Sequence, residues 1–173
     1  MKKLLFILVA LLPISVFAQG KSDLPIDTVT HKISYQLVQL LPSLKQKQLY
    51  LNAKEWLIKK FVSSKDVTQL DDQQSGKIIA EGYSIFDQIS GATIFKMKLW
   101  YTATFLLRDG KYKFILTDFR FQLPDDDSKI NAEGKVWPEM NNIIGIANLH
   151  AIERAWKDFS TSLNDSMSKK DDF

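Results

Sequence analysis

The sequence predicts an α+β domain in which one antiparallel sheet carries two helices on the same face, with the element order β-α-β-β-β-β-α. Several segments alternate apolar and polar residues, as half-buried strands do. Two other segments, one near each end of the domain, repeat apolar residues at helical spacing. Because an antiparallel sheet commonly buries one face only, both helices are expected on that face, and the other face is left open or covered by loops.

The first eighteen residues predict a cleavable secretory signal peptide. Two lysines precede an apolar run that ends at Val16. The preference for small residues just before a signal-peptide cleavage site places cleavage between Ala18 and Gln19. The apolar run is too short to span a bilayer comfortably, so no transmembrane segment is expected after processing. These features predict an exported protein of the periplasm, the cell surface or the medium.

The mature chain is predicted to contain a single domain over residues 32–168. Residues 19–31 are expected to form a flexible N-terminal arm, and residues 169–173 a short C-terminal tail. The chain has no cysteine, so the domain is stabilised without disulfides. Of the 23 basic side chains two belong to the signal peptide, which leaves 21 against 20 acidic ones. This near balance gives no electrostatic reason to expect a nucleic acid as partner.

A strand and a helix open the domain. Residues 33–41 alternate as a half-buried strand that ends at Pro42. Ser43, with Gln46 three positions later, forms a capping-box pattern. Apolar residues then recur at helical spacing, which predicts a first helix over residues 43–62.

Four strands are expected next, over residues 67–70, 77–86, 93–107 and 111–122. Asp109 and Gly110 form the favoured two-residue hairpin turn between the last two of these strands. That turn places Leu107 opposite Tyr112, and it keeps Phe105 opposite Phe114 and Ala103 opposite Leu116 on the core side.

The same pairing fails if it continues without change. Asp118 would then face the core while Phe119 pointed outward. One extra residue near Thr117 and Asp118 restores the pattern, because Phe119 then pairs with Tyr101 and Phe121 with Leu99. We therefore predict a β-bulge at this point of the strand.

The C-terminal part is predicted to contain a long loop and a second helix. Residues 123–142 have no regular period, and an asparagine at position 141 or 142 is expected to cap the helix. A stripe that includes Trp156 and Phe159 then follows at helical spacing.

Short motifs within residues 33–121 carry a family resemblance. They are Ala53-Lys54-Glu55-Trp56-Leu57, Gln69-Leu70-Asp71, Gly76-Lys77-Ile78, Asp109-Gly110-Lys111-Tyr112-Lys113-Phe114 and Thr117-Asp118-Phe119. On these motifs the chain resembles an exported Bacteroidetes family of unknown function with a TATA-binding-protein-like fold. The resemblance implies one half of that fold and a secreted protein. It implies no activity, cofactor or catalytic residue, and the fold alone does not imply DNA binding.

No catalytic, metal or cofactor site is predicted. His150 falls on the polar side of the second helix beside Glu153, where a solvated surface histidine is expected. The acidic run at residues 125–127 is interpreted as a solvated turn, because it lacks the glutamate that a calcium-binding loop places at its twelfth position.

Trp100 is the candidate binding residue. It occupies the polar register of its strand between Lys98 and Thr102, with Lys96 on the same side, so it is expected on the open face. The long loop, which contains Trp137, is the alternative, since it could fold over the ring. Replacing an exposed Trp100 with alanine would cost less than about 1 kcal/mol, and replacing a covered one about 3 to 5 kcal/mol.

The function predicted from these features is an exported, non-enzymatic binding module of the cell envelope, whose partner is an unidentified envelope protein or ligand. Two alternatives stay open. One is an enzyme with a site assembled from distant residues, which a concave pocket with converging polar groups would favour. The other is a structural subunit of an envelope assembly, which self-association would favour.

Overall fold

The computed structural model describes residues 24–61, 68–90, 92–123, 127–132 and 143–170. The predicted α+β class is confirmed, and the residues expected to cap the second helix lie outside the described ranges. The elements are β1 (Tyr35–Leu40), α1 (Gln46–Lys60), β2 (Thr68–Asp72), β3 (Lys77–Ser90), β4 (Thr93–Arg108), β5 (Lys111–Gln122), β6 (Ile130–Asn131) and α2 (Ile143–Met167). The two-residue β6 lies in the segment that was predicted to be irregular.

The described strands form one antiparallel sheet in the order β1-β5-β4-β3-β2, with β6 beside the far end of β5. Both helices pack on one face of this sheet, as predicted. The pairing of β3 with β4 is longer than that of either neighbour, because β2 pairs no further than Ala80 and β5 no further than Lys98. The β3–β4 hairpin therefore extends past the rest of the sheet.

The core lies between the helices and the sheet and is rich in aromatic rings. Trp56 of α1 is 1% exposed and contacts Phe105 and Phe114 of the sheet with its ring centroid 5.8 and 5.6 Å from theirs. Phe159 of α2 packs on the same tryptophan at 5.4 Å and on Tyr101 at 5.0 Å. These edge-to-face contacts join both helices to the sheet in one core.

The β4–β5 hairpin has the predicted register. Leu107 pairs with Tyr112, and the two further pairs expected on the core side, Phe105 with Phe114 and Ala103 with Leu116, are also present. The register then shifts by one residue between Trp100 and Thr102. The predicted β-bulge is therefore confirmed.

The bulge leaves Asp118 in the left-handed region, with φ of 56°. This backbone conformation is unfavourable for a residue with a side chain, and aspartate is among the residues that tolerate it best. Phe119 is returned to the core and is fully buried, and Phe121 pairs with Leu99 as expected. The extra residue thus keeps both phenylalanines inside and places Asp118 outside the core.

The predicted start of the first helix is wrong. The helix begins at Gln46 after Lys45, and no side chain of the capping position binds the exposed amides. Asp109 of the hairpin turn does so instead, since its Oδ1 accepts a hydrogen bond from the Gln46 amide at 2.9 Å and its Oδ2 contacts Lys45 Nζ at 3.1 Å. The Gln46 hydrogen bond is the main reason that the pKa of Asp109 is lowered. The cap is thus supplied from a distant part of the chain, which a local pattern at Ser43 cannot reveal.

The segment before β1 is held in a turn. Ile26 and Ile33 form an antiparallel bridge, and the Asp27 carboxylate accepts hydrogen bonds from the amides of Val29 and Thr30 at 3.0 and 2.8 Å. These bonds, that to Thr30 first, lower the pKa of Asp27. The turn brings Lys32 to the bulge in β5, where its ammonium group pairs with Asp118.

Candidate binding site on the open sheet face

Trp100 lies on the face of the sheet opposite the helices. Its neighbours along the strand, Leu99 and Tyr101, are each 1% exposed on the helix side, whereas Trp100 is half-buried. Across the sheet it pairs with Tyr83 on β3 and with Arg120 on β5. The alternation of side chains along β4 thus places the tryptophan on the open face.

The Trp100 ring is held by three side chains. Tyr83 packs against it with ring centroids 4.8 Å apart, and the indole Nε1 donates a hydrogen bond to Gln122 Oε1 at 2.7 Å. Lys129, from the segment after β5, places its Nζ 3.5 Å from the ring centroid. The ring is therefore half-buried, and among the described residues Lys129 lies over it. These residues, Tyr83, Trp100, Gln122 and Lys129, are called the Trp100 cluster below.

Glu81 connects the Trp100 cluster to Arg120 and Gln69 on the same face. Its Oε1 accepts from Arg120 at 2.6 Å and from Lys129 at 3.2 Å, and its Oε2 accepts from Gln69 at 2.9 Å. The side chains of Glu81 and Arg120 are only 21% and 25% exposed, so solvent screens their interaction less than it screens a fully exposed pair. Lys129 is thus fixed by both a carboxylate and an aromatic ring.

A polar depression adjoins the Trp100 cluster where the bulge interrupts β5. Asp118, projected by the bulge, lies there with its ion-pair partner Lys32. The depression has a volume of about 330 Å³ and is called the polar cleft below. It is lined by Lys32, Gln69, Glu81, Thr102, Asp118, Arg120 and Asn131.

The polar cleft is suited to hydrogen bonding. Its carboxylates, amides and guanidinium group are planar and present donors and acceptors in fixed directions. Both carboxylates already hold a cation, because Glu81 pairs with Arg120 and Lys129 while Asp118 pairs with Lys32. No cluster of histidine and carboxylate side chains that could hold a metal ion occurs within the described ranges. The lining of the polar cleft thus consists of paired charges together with neutral amide and hydroxyl groups.

The strand that carries Trp100 is buried on its other side, where Leu99 and Tyr101 lie in the core. The Tyr101 hydroxyl lies 2.9 Å from Ser84 Oγ, and burial raises the pKa of Tyr101 to about 12. This phenol is therefore neutral, and it lies in the core next to the position that carries Trp100 on the open face.

The structure brings together some of the residues predicted for the site. Thr102 lines the polar cleft, and Lys98 lies over the Tyr83 ring at 5.1 Å. Lys96 is further along the β3–β4 hairpin, where it pairs with Asp87 at 3.1 Å. Trp137 lies outside the described residues. As a binding site, the set stays a prediction.

Sequence reasoning missed Tyr83, Glu81, Arg120, Gln122 and Lys129. A signal existed for Tyr83, because the register of a β3–β4 hairpin with a short turn places it opposite Trp100. Arg120 follows from the predicted bulge, which moves it from the core side to the open face. Nothing in the sequence points to the approach of Lys129. His150, in contrast, is an exposed residue of α2 with Nδ1 3.2 Å from Glu153, as expected.

Replacing Trp100 with alanine is expected to cost about 2 kcal/mol of unfolding free energy, because it removes a half-buried ring and the donor to Gln122. The value lies between those of an exposed and a covered tryptophan. Ile85, which is 59% exposed, is the control on the same face, and Ile85→Ala should change stability by less than about 0.5 kcal/mol. Urea denaturation measures both. Equal stability of the two variants would show that the three contacts of Trp100 contribute nothing.

The arrangement of a six-stranded antiparallel sheet with two helices on one face and a second, open face defines a small α+β domain of the TATA-binding-protein-like class. Residues 27–122 match the family described as "Domain of unknown function (DUF4468) with TBP-like fold". The chain belongs to this family. The matched range includes the first five strands and therefore most of the Trp100 cluster and the polar cleft.

Solved structures of other proteins share the fold. One is a DUF4468 family protein from Bacteroides ovatus, with a TM-score of 0.65 and 16% sequence identity over 86% of this chain and 93% of that one. Another is a TBP-like protein from Parabacteroides distasonis, with a TM-score of 0.60 and 14% identity over 86% of this chain and 99% of that one. No curated protein matches the chain. At these identities the likeness concerns the fold alone.

A helix needs about 20 consecutive apolar residues to cross a bilayer. Within the described ranges, neither α1 nor α2 contains a stretch long and apolar enough to cross a membrane.

Proposed function

We propose that the mature chain is an exported, non-enzymatic binding module of the cell envelope, which contacts a partner protein or ligand through the Trp100 cluster and the polar cleft. The observation that carries this proposal is a tryptophan held on the open sheet face by Tyr83, Gln122 and Lys129. Large aromatic side chains dominate binding energies, and a ring that is already immobilised loses little entropy when a partner covers it.

The polar cleft is the observation that favours the second candidate, an enzyme with a dispersed site. Polar groups from several strands converge there, as they do in many active sites. Its lining, however, has no histidine, cysteine or serine, and both of its carboxylates are engaged with cations. A general base needs an available lone pair near the substrate proton. We therefore place binding first.

A capture experiment tests the binding role. The mature protein, immobilised, is incubated with the envelope fraction, and the retained proteins and glycans are identified by mass spectrometry. The Tyr83→Ala/Trp100→Ala variant should lose the specific partner. A matched variant on the helix side, Leu51→Ala/Ile58→Ala, should still retain the partner. Both Leu51 and Ile58 are exposed on α1, on the side of the domain opposite the open face. Equal retention by both variants would contradict the proposal, and turnover of a captured ligand would favour the enzyme.

Export is tested by the mass of the protein in the cell. The residues up to Ala18 are expected to be removed, so the intact mass of the protein from the envelope fraction should correspond to a chain that begins at Gln19. Ala18→Arg should block this processing and leave the longer species. Recovery of the wild-type protein at full length would contradict the predicted signal peptide.

The structural-subunit alternative predicts a different behaviour. A subunit of an assembly should associate with itself as its concentration rises, and sedimentation velocity over a range of concentrations measures this. A monomer at every concentration would leave the binding module as the favoured function.

A further inference from the structure

A second group of residues lies at the other end of the open face, next to the Asp109-Gly110 turn. It consists of cations interleaved with aliphatic side chains, and the strand register makes them direct neighbours. Arg108 pairs with Lys111, Leu106 pairs with both Lys113 and Lys77, and β1 adds Val38 beside Lys113 and Leu40 beside Lys111. These seven residues are called the basic end patch: Val38, Leu40, Lys77, Leu106, Arg108, Lys111 and Lys113.

The four cations of the basic end patch are not paired with a carboxylate of any described residue. Within the described ranges, the side chains of Lys77, Arg108, Lys111 and Lys113 form no hydrogen bond or ion pair. Asp72 pairs in register with Lys77, but its carboxylate accepts a hydrogen bond from the Ser75 amide at 3.0 Å. Lysines elsewhere on the same face differ, since Lys96 pairs with Asp87 and Lys129 with Glu81.

The arrangement of these charges is unfavourable for the isolated domain. Arg108 and Lys111 occupy directly opposite positions of neighbouring strands, and like charges in such positions repel each other and destabilise the sheet. An anionic group bound between the Arg108 and Lys111 side chains would offset this repulsion. The patch is therefore complementary in charge to an acidic partner.

The aliphatic members of the patch restrict the kind of partner. Val38 is 61% exposed, Leu40 64% and Leu106 38%, and each lies beside at least one of the cations. A purely anionic polymer would neutralise the cations and leave these side chains in water. A flexible chain with both acidic and aliphatic side chains can satisfy both kinds of group.

We propose that the basic end patch binds an acidic polypeptide segment that also carries aliphatic side chains. The segment lies across β1, β5 and β4, with carboxylates on the cations and aliphatic groups against Val38, Leu40 and Leu106. This inference does not depend on the Trp100 cluster, which lies beyond the bulge toward the other end of β4. The two sites can therefore be tested separately.

The test uses the mature protein and a short fluorescent peptide of alternating glutamate pairs and leucine pairs. Fluorescence anisotropy should show saturable binding that weakens as salt is raised, because screening reduces the attraction. The Lys111→Gln/Lys113→Gln variant should bind at least about tenfold more weakly, since half of the cations are lost. A matched helix-side variant, Lys47→Gln/Lys157→Gln, changes the net charge equally at exposed positions and should bind as the wild type does.

Two further probes separate the partner classes. A peptide in which serine replaces leucine should bind more weakly than the glutamate–leucine peptide, and vesicles that contain phosphatidylglycerol should not retain the protein. Equal binding of the serine peptide, retention by vesicles without peptide binding, or equal affinity of the two lysine variants would each overturn the proposal. Thermal denaturation accompanies these measurements. The Lys111→Gln/Lys113→Gln variant should melt no earlier than the wild type, which shows that lost binding is not lost folding.

Discussion

Replacing Gly82 with alanine is expected to destabilise the domain by about 3 kcal/mol, because overpacking of a closed core has this magnitude. A Cβ at position 82 would lie 1.9 Å from Cδ1 and 2.0 Å from Cε1 of the Phe61 ring. The ring cannot move away easily, since it also packs edge-to-face on Tyr101 and stacks with Phe159. Chemical denaturation followed by circular dichroism measures the loss.

A double-mutant cycle checks the cause. Phe61→Ala removes the ring that the new methyl group would meet, so Gly82→Ala should cost much less in the Phe61→Ala background than in the wild type. Additive losses would show that the clash with Phe61 is not the reason for the effect.

Replacing Trp56 with alanine is expected to cost about 4 kcal/mol, as for other large aromatic residues removed from a core. The ring is 1% exposed and packs against Phe61, Phe105, Phe114 and Phe159. Its indole Nε1 also donates a hydrogen bond to Ser162 Oγ at 3.1 Å, so the truncation removes a link between the two helices. Equilibrium unfolding in urea gives the difference.

Trp156 of α2 provides the matched control. It is only partly buried at the edge of the core, where it stacks on Tyr35 with centroids 5.1 Å apart. Trp156→Ala should therefore cost about 2 kcal/mol, or half the loss expected at Trp56. A larger loss at Trp156 would mean that the centre of the core lies nearer β1 than the burial of Trp56 indicates.

Much of the fold follows from side-chain alternation, and the bulge in β5 shows why. A regular strand cannot bury Phe119 and Phe121 on the same face as Phe114 and Leu116, because the two pairs are an odd number of positions apart, so the sequence itself requires an extra residue between them. The start of α1 could not be predicted in the same way, because its cap is the distant Asp109. The two-residue β6 was missed since its sequence is too short to show a period.

The candidate site was predictable only in part, for a related reason. The position of Trp100 on the open face depends on one strand and could be predicted from its register. The contacts that hold the ring depend on three other segments, namely β3, the end of β5 and the residues before β6. The ion pair of Lys32 with Asp118 depends on how the N-terminal turn meets the bulge. Local sequence patterns contain no information on such contacts between distant segments of the chain.

The Asp109 cap has a consequence for the order in which the domain assembles. The Gln46 amide and the Asp109 carboxylate are separated by 63 positions in the sequence, so the first turn of α1 receives its acceptor only after the β4–β5 hairpin has closed. The hairpin is local and needs little chain entropy to form, whereas a helix of 15 residues is marginal by itself in water. Helix α1 should therefore reach its full stability only after the hairpin has formed. In a ribosome-bound chain that ends before Asp109, α1 should be only partly helical.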